Sequence, residues 1–170
     1  MYDSYQGLLY LAEGIKYWNG EGVAVDKMAA KIWFEKASEL GNEDAIYNLG
    51  IGYEYGEFGP IDLEIAFSYY KRAAERGLVM GMAKLGFFLG VGKGCSKNPT
   101  KAFYWYEKAA SLDDVGSMYN LGTCYEFGNG TIIDYDKAIY WYRKAALNNY
   151  EDSAQRVTCC KQKRANQNSF

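Results

Sequence analysis

The stretch Lys101-Ala102-Phe103-Tyr104-Trp105-Tyr106-Glu107-Lys108-Ala109-Ala110 is repeated in outline 36 residues later, as Lys137-Ala138-Ile139-Tyr140-Trp141-Tyr142-Arg143-Lys144-Ala145-Ala146. Working outward, the same period of 36 links Ala30, Ala66, Ala102 and Ala138, and likewise Trp33, Tyr69, Trp105 and Trp141. Ala37, Ala73, Ala109 and Ala145 close the frame, each preceded by a base: Lys36, Arg72, Lys108 and Lys144. Two glycine columns hold the register as well, Gly14, Gly50, Gly86 and Gly122, then Gly20, Gly56, Gly92 and Gly128. A fixed period of this size marks a stacked array in which each unit needs its neighbours to bury its apolar face. The sequence therefore reads as an all-α solenoid of four 36-residue helix-turn-helix repeats.

One repeat shows why. Ala45, Leu49 and Tyr53 lie at i, i+4 and i+8 and make the apolar stripe of a first helix. Glycine inside a helix costs roughly 1 kcal/mol against alanine, so Gly50 and its equivalents imply a close approach of the second helix. Gly56 ends the first helix as a left-handed cap. Asp62, with Asp26, Asn98 and Asp134 in its column, is an N-cap for the second helix, and Pro99 sits at the first helical position behind Asn98. Ala66, Tyr69, Tyr70 and Ala73 then face inward. The expected helices are 5–20 and 26–40, 43–56 and 62–76, 79–92 and 98–111, 115–128 and 134–147, within repeats at about 5–42, 43–78, 79–114 and 115–150. A polar helix over 151–163, matching the frame only at Ser153 and Val157, is expected to cap the array, with 164–170 a disordered tail. Residues 1–163 are thus read as one domain.

Composition agrees. The chain of 170 residues is 49% apolar, and its 17 Tyr, 8 Phe and 4 Trp supply bulk for helix packing. A formal charge of −2 with no basic stripe argues against nucleic acid as a partner. No apolar run approaches a membrane span and the start lacks the charge of a signal peptide. Cys124 and Cys160 lie 36 apart, at equivalent places roughly 10 Å from one another by ordinary helix spacing, too far for a disulfide. Adjacent Cys159-Cys160 is not metal-ligand spacing either. Reduced thiols in a cytoplasmic protein are the expectation, with a periplasmic or secreted setting open if a leader has been removed.

The run Ala45-…-Leu49-Gly50-…-Tyr53-…-Gly56-…-Asp62-…-Ala66-…-Tyr69-Tyr70-…-Arg72-Ala73-Ala74-Glu75-…-Gly77 resembles the Sel-1-like repeat, a relative of the tetratricopeptide repeat. The resemblance covers about residues 5–150. It implies a right-handed superhelix that serves as an adaptor for protein complexes, known in bacteria and in eukaryotic quality control. The chain departs from the family's cysteine-rich branch, which places a disulfide in each repeat. Local departures are Leu89 in a tyrosine column, Phe58 for a loop glycine, and Asp113 and Asn149 for the glycine ending the second helix.

Packing accounts for the frame residues: Gly14, Gly50, Gly86, Gly122, Ala66, Ala102, Ala138, Trp33, Trp105 and Trp141 are structural. Function is sought in what the frame leaves over. A second stripe on the first helices, Tyr47, Ile51 and Tyr55, repeats as Leu11, Ile15 and Asn19, as Ala83, Phe87 and Val91, and as Tyr119, Thr123 and Phe127. Trp18, Glu54 and Glu126 stand at its edge. By the resemblance this stripe lines the concave face, and its apolar character marks a partner-binding surface; partial burial against the adjacent repeat is the alternative. Asn48 and Asn120 are placed to hydrogen-bond an extended peptide.

Catalysis is disfavoured. The chain has no histidine, which removes the commonest general base and most zinc sites. Gly90-Val91-Gly92-Lys93-Gly94 follows no strand and is explained by the repeat loops. The expectation is a non-enzymatic adaptor, without cofactor or metal, monomeric or weakly oligomeric, that binds a protein or peptide. The alternative is an inhibitor or immunity-type protein neutralising a bacterial toxin or enzyme, and an enzyme is the remote alternative.

Overall fold

The computed structural model describes residues 2–167, and among these there are nine helices and no strand. They are α1 (Tyr2–Asn19), α2 (Lys27–Glu39), α3 (Glu43–Tyr55), α4 (Leu63–Glu75), α5 (Val79–Val91), α6 (Pro99–Ser111), α7 (Val115–Phe127), α8 (Tyr135–Leu147) and α9 (Ser153–Gln167). Four helix-turn-helix pairs and a final helix match the expected order. That last helix extends through Arg164 to Gln167, where a disordered tail was expected, because Val157 and Cys160 are buried and Arg164 pairs with Asp136 on α8. Residues 168–170 of that expected tail lie outside the described residues.

The local signals act as their chemistry demands. Asp26, Asp62, Asn98 and Asp134 each accept from the backbone N–H three residues on, at 2.9, 2.9, 3.0 and 2.9 Å. Asn42 and Asp114 do the same for α3 and α7, at 2.8 and 2.6 Å. At the ends of α3 and α7, Gly56 and Gly128 take φ 72° and 70°, the left-handed cap. Where the second helices end, Gly41 and Gly77 give way to Asp113 and Asn149, which adopt φ 63° and 62° without being glycine; these short polar residues tolerate that region best.

Two units make up the chain, the first up to Gly81 together with Lys93–Cys95, the second Met82–Gly92 and everything from Ser96. In the first unit, Phe34, Ala37, Ala45 and Leu49 are fully buried, with Trp18, Phe58 and Tyr69 packed against them. Phe58 fills space that a side chain at Gly52 would need, and its ring meets Trp18 and Tyr53 edge-on at 5.8 and 5.6 Å. The loop departure is therefore matched by a glycine on α3. In the second unit the core holds Leu85, Phe88, Ala109, Met118, Leu121, Tyr142, Ala145 and Cys160.

The column Gly14, Gly50, Gly86 and Gly122 is the predicted close approach. A Cβ at these positions would lie 2.5, 2.7, 2.8 and 2.7 Å from the rings of Phe34, Tyr70, Tyr106 and Tyr142. Ala66, Ala102 and Ala138 are buried. The half-buried indoles of Trp33, Trp105 and Trp141 lie beneath the ammonium groups of Lys36, Lys108 and Lys144, at 4.3, 5.1 and 5.3 Å from ring centre. These cation–π contacts explain why a base follows three residues behind each tryptophan.

One column is imperfect. Ala45, Gly81, Ser117 and Ser153 occupy it, and the hydroxyls of Ser117 and Ser153 are buried with no hydrogen-bond partner among the described residues. Ser117→Ala and Ser153→Ala are expected to raise stability by about 1 kcal/mol each, since a buried hydroxyl without a partner carries its desolvation cost. Urea midpoints shifted upward at unchanged slope would show it.

Candidate functional site

The second stripe of each first helix is graded from one end to the other. Within the first unit, Leu11 is buried, Ile15, Trp18, Tyr47 and Ile51 are half-buried, and Tyr55 is 62% exposed. Within the second, Tyr119 and Thr123 are half-buried, while Phe87, Val91 and Phe127 are 42%, 56% and 48% exposed. The exposed members stand in the last two turns of the helices. Those nearer the start serve packing. Tyr47 lies 5.4 Å from the Tyr70 ring, and Tyr119 is held between Tyr142 at 5.3 Å and Tyr150 at 4.7 Å. Trp18 is packed between Phe34 and Phe58, with the Lys27 ammonium 3.7 Å above it. Asn48 and Asn120 are half-buried.

Glu54 and Glu126 are not edge charges. They are 5% and 1% exposed and sit beneath the stripe, each accepting from the tyrosine sixteen residues later. Tyr70 Oη donates to Glu54 Oε2 at 2.5 Å and Lys93 Nζ to Oε1 at 2.8 Å. Tyr142 Oη donates to Glu126 Oε2 at 2.8 Å, Lys163 Nζ to Oε1 at 2.8 Å, and Arg156 Nη1 stands 3.6 Å away. Burial alone would push the Glu126 carboxyl up, but the hydrogen bonds from Lys163 and Tyr142 and the nearby cations outweigh it and hold the pKa below the usual glutamate value. Burial above all pushes both phenols well above the ordinary tyrosine value; the hydrogen bond to the carboxylate adds to it, and at Tyr142 the Thr123 hydroxyl opposes it. Sequence reading missed these clusters. Their signal is the shared offset of sixteen residues in alternate repeats.

The second unit also contains a cleft of about 250 Å³, lined by Phe87, Val91, Asn120 and Thr123 of the predicted surface and by Gly90 and Tyr106 below them. It brings together four residues that the sequence singled out separately.

The Sel1 repeat model matches residues 6–42, 43–78, 79–114 and 115–150. The chain belongs to the Sel1-repeat family. Sel1-repeat proteins are generally scaffolds for protein–protein interaction. Among solved structures, a protective antigen of uropathogenic Escherichia coli with an SLR fold is 32% identical, with a TM-score of 0.84 over 86% of this chain and 32% of its own. A Sel1 repeat protein from Oxalobacter formigenes is 30% identical, TM-score 0.84, over 93% of this chain and 63% of its own. Cysteine-rich protein B of Helicobacter pylori is 28% identical, TM-score 0.58, over 68% and 86%. The chain thus spans about a third of the first structure and under two thirds of the second. Among curated proteins, none matches.

The four cysteines of this Sel1-repeat chain are free thiols. Burial pushes Cys124 up to about 11 and Cys160 to about 12, and raises Cys95 too, which makes these thiols poor nucleophiles. Among the described residues no group of His, Cys, Asp and Glu could hold a metal ion, and no helix is long and apolar enough to cross a membrane.

Proposed function

We propose that this Sel1-repeat chain is a non-enzymatic adaptor that holds a protein or peptide partner on the exposed ends of its first helices. The observation that carries this reading is the exposure of Tyr55, Phe87, Val91 and Phe127 at equivalent or neighbouring positions of successive first helices. The repeat frame does not require large apolar side chains there, and exposed apolar side chains of this kind, Tyr55 in the first unit and Phe87, Val91 and Phe127 in the second, serve association rather than folding. Asn48 and Asn120 add donors and acceptors beside the stripe, suited to an extended backbone. The buried carboxylates, Glu54 and Glu126, are saturated by tyrosine and lysine and so unsuited to proton transfer. Cysteines spaced too far apart to pair, as Cys124 and Cys160 are, suit a reducing, cytoplasmic setting.

The test compares capture of partner by the parent and by Tyr55→Ala/Phe127→Ala from lysate of the source organism, quantified by mass spectrometry. Loss of the captured partner by tenfold or more with unchanged far-ultraviolet circular dichroism is expected, since aromatic anchors contribute on the order of 2 kcal/mol each. Lys71→Ala/Glu107→Ala, on the outer side of α4 and α6, serves as control. Equal capture by all three proteins would overturn the reading.

A further inference from the structure

The second and fourth repeats each bury a glutamate on the first helix against a tyrosine on the second, Glu54 with Tyr70 and Glu126 with Tyr142. In the first repeat both members change together. Trp18 stands in the glutamate column and Phe34 in the tyrosine column, and their rings pack at 5.9 Å, so no hydroxyl is left to satisfy. The third repeat breaks this rule. Gly90 replaces the glutamate, yet Tyr106 keeps its hydroxyl. Tyr106 is 7% exposed, and its Oη has no hydrogen-bond partner among the described residues. That oxygen is not sealed in the core: Tyr106 lines a cleft, where a donor no longer tied to an internal carboxylate is available to a ligand.

The space that a glutamate at 90 would use is the cleft of about 250 Å³ lined by Gly90, Tyr106 and Asn120. Two more departures of the same repeat face it. Lys97 lines the cleft in a column that is otherwise apolar, Val25, Ile61 and Ile133, and it makes no ion pair among the described residues. Asn129, also in the lining, occupies the column of Lys93, the residue that binds the second oxygen of Glu54. The cleft therefore offers a phenol O–H, amide N–H groups and one ammonium, and no carboxylate lines it. Its mouth adjoins Phe87 and Val91 of the exposed stripe.

We propose that this cleft receives a glutamate side chain of the partner, whose carboxylate takes the place of the glutamate missing at Gly90. Tyr106 Oη donates to one oxygen as Tyr70 does to Glu54, and Asn129 and Lys97 face the other. The proposal deepens the adaptor reading, because it assigns acidic chemistry to the ligand of that surface and rests on that surface binding a partner.

The probe is the tripeptide acetyl-Ala-Glu-Ala-amide, titrated to about 50 mM, the weak range expected of one side chain, into ¹⁵N-labelled protein at neutral pH. Saturable shifts of the Gly90 backbone amide and the Asn129 side-chain amide are expected. The glutamine analogue should bind at least fivefold more weakly. Gly90→Glu supplies the carboxylate from within; its Cβ would meet Ala102 and Tyr106 only at 3.6 and 3.7 Å, so the residue fits. This variant should melt no lower than the parent and lose the peptide shifts. Tyr106→Phe should weaken the peptide at least fivefold with the fold retained.

Four outcomes would overturn the proposal: equal binding of the glutamine peptide, no saturable shift, unchanged affinity in a folded Gly90→Glu or Tyr106→Phe, or preference for acetyl-Ala-Ala-Ala with a free carboxyl terminus. The last would point to a chain terminus as the occupant. Phe127 lies outside the cleft, so Phe127→Ala should leave peptide affinity unchanged. Peptide binding can thus fail while partner capture stays sensitive to the stripe, and the reverse.

Discussion

Gly122→Leu is expected to lower the stability of the protein by about 2–6 kcal/mol, the sum of overpacking at about 1–3 kcal/mol and a lost buried hydrogen bond at about 1–3 kcal/mol. A Cβ at 122 would stand 2.7 Å from Cδ1 of Tyr142. That ring is not free to retreat. Its hydroxyl donates to Glu126 at 2.8 Å and lies 3.0 Å from Thr123 Oγ1, while Tyr119 packs at 5.3 Å. Moving the ring withdraws a donor from a carboxylate that is 1% exposed. Gly50→Leu should behave alike, since Tyr70 is tied to Glu54. Gly14→Leu meets Phe34 just as closely but breaks no hydrogen bond, and should cost less. Gly116→Ala, whose Cβ would meet only Asp114 Oδ1 at 3.7 Å, is the control and should be neutral or stabilising. Chemical denaturation of the four variants checks this, and a Gly122→Leu protein as stable as the parent would show that the ring is not held as described.

Much of this was legible in the sequence because it lies in columns. Asp26, Asp62, Asn98 and Asp134 share one chemical task, so their N-cap role can be read four times over. Gly50 and Gly122 announce a close approach because glycine in mid-helix has a cost that only packing offsets. The proposed partner surface was legible only in part. Spacing by four places Tyr47 and Tyr119 on the same face as Tyr55 and Phe127, but it carries no information on how far the second helix covers that face. The rings of Tyr70 and Tyr142 cover the former pair and leave the latter exposed. Glu54 and Glu126 read only as edge residues of the stripe because their partners are distant in sequence, Lys93 by 39 residues and Lys163 by 37. Arg164 to Gln167 read as tail since the pairing of Arg164 with Asp136 is likewise long-range.

Lys163→Met is expected to cost about 2–3 kcal/mol at neutral pH, and to lose most of that effect in acid. Breaking a fully buried pair costs about 3–5 kcal/mol. Here Lys163 is 37% exposed and Arg156 remains 3.6 Å from the same oxygen, so solvent and the second cation reduce the penalty. The pH dependence follows from the direction of the Glu126 shift. Its folded pKa lies below the ordinary value, so the native state holds the carboxylate more strongly than the unfolded chain does. That stabilisation is complete above the unfolded pKa of about 4.3 and disappears as the pH falls through the lower folded value. Lys163→Met raises the folded pKa, so its acid-induced loss should begin at higher pH than in the parent. Glu126→Gln removes the charge and should flatten this part of the stability curve. In Glu126→Gln the lysine has little left to neutralise, so adding Lys163→Met should cost well under the single substitution. A thermodynamic cycle over the four proteins at neutral and acid pH measures the coupling. Additive effects at neutral pH would mean that the Lys163–Glu126 pair is incidental and that α9 is held by Val157, Cys160 and its other contacts, the pairing of Arg164 with Asp136 among them.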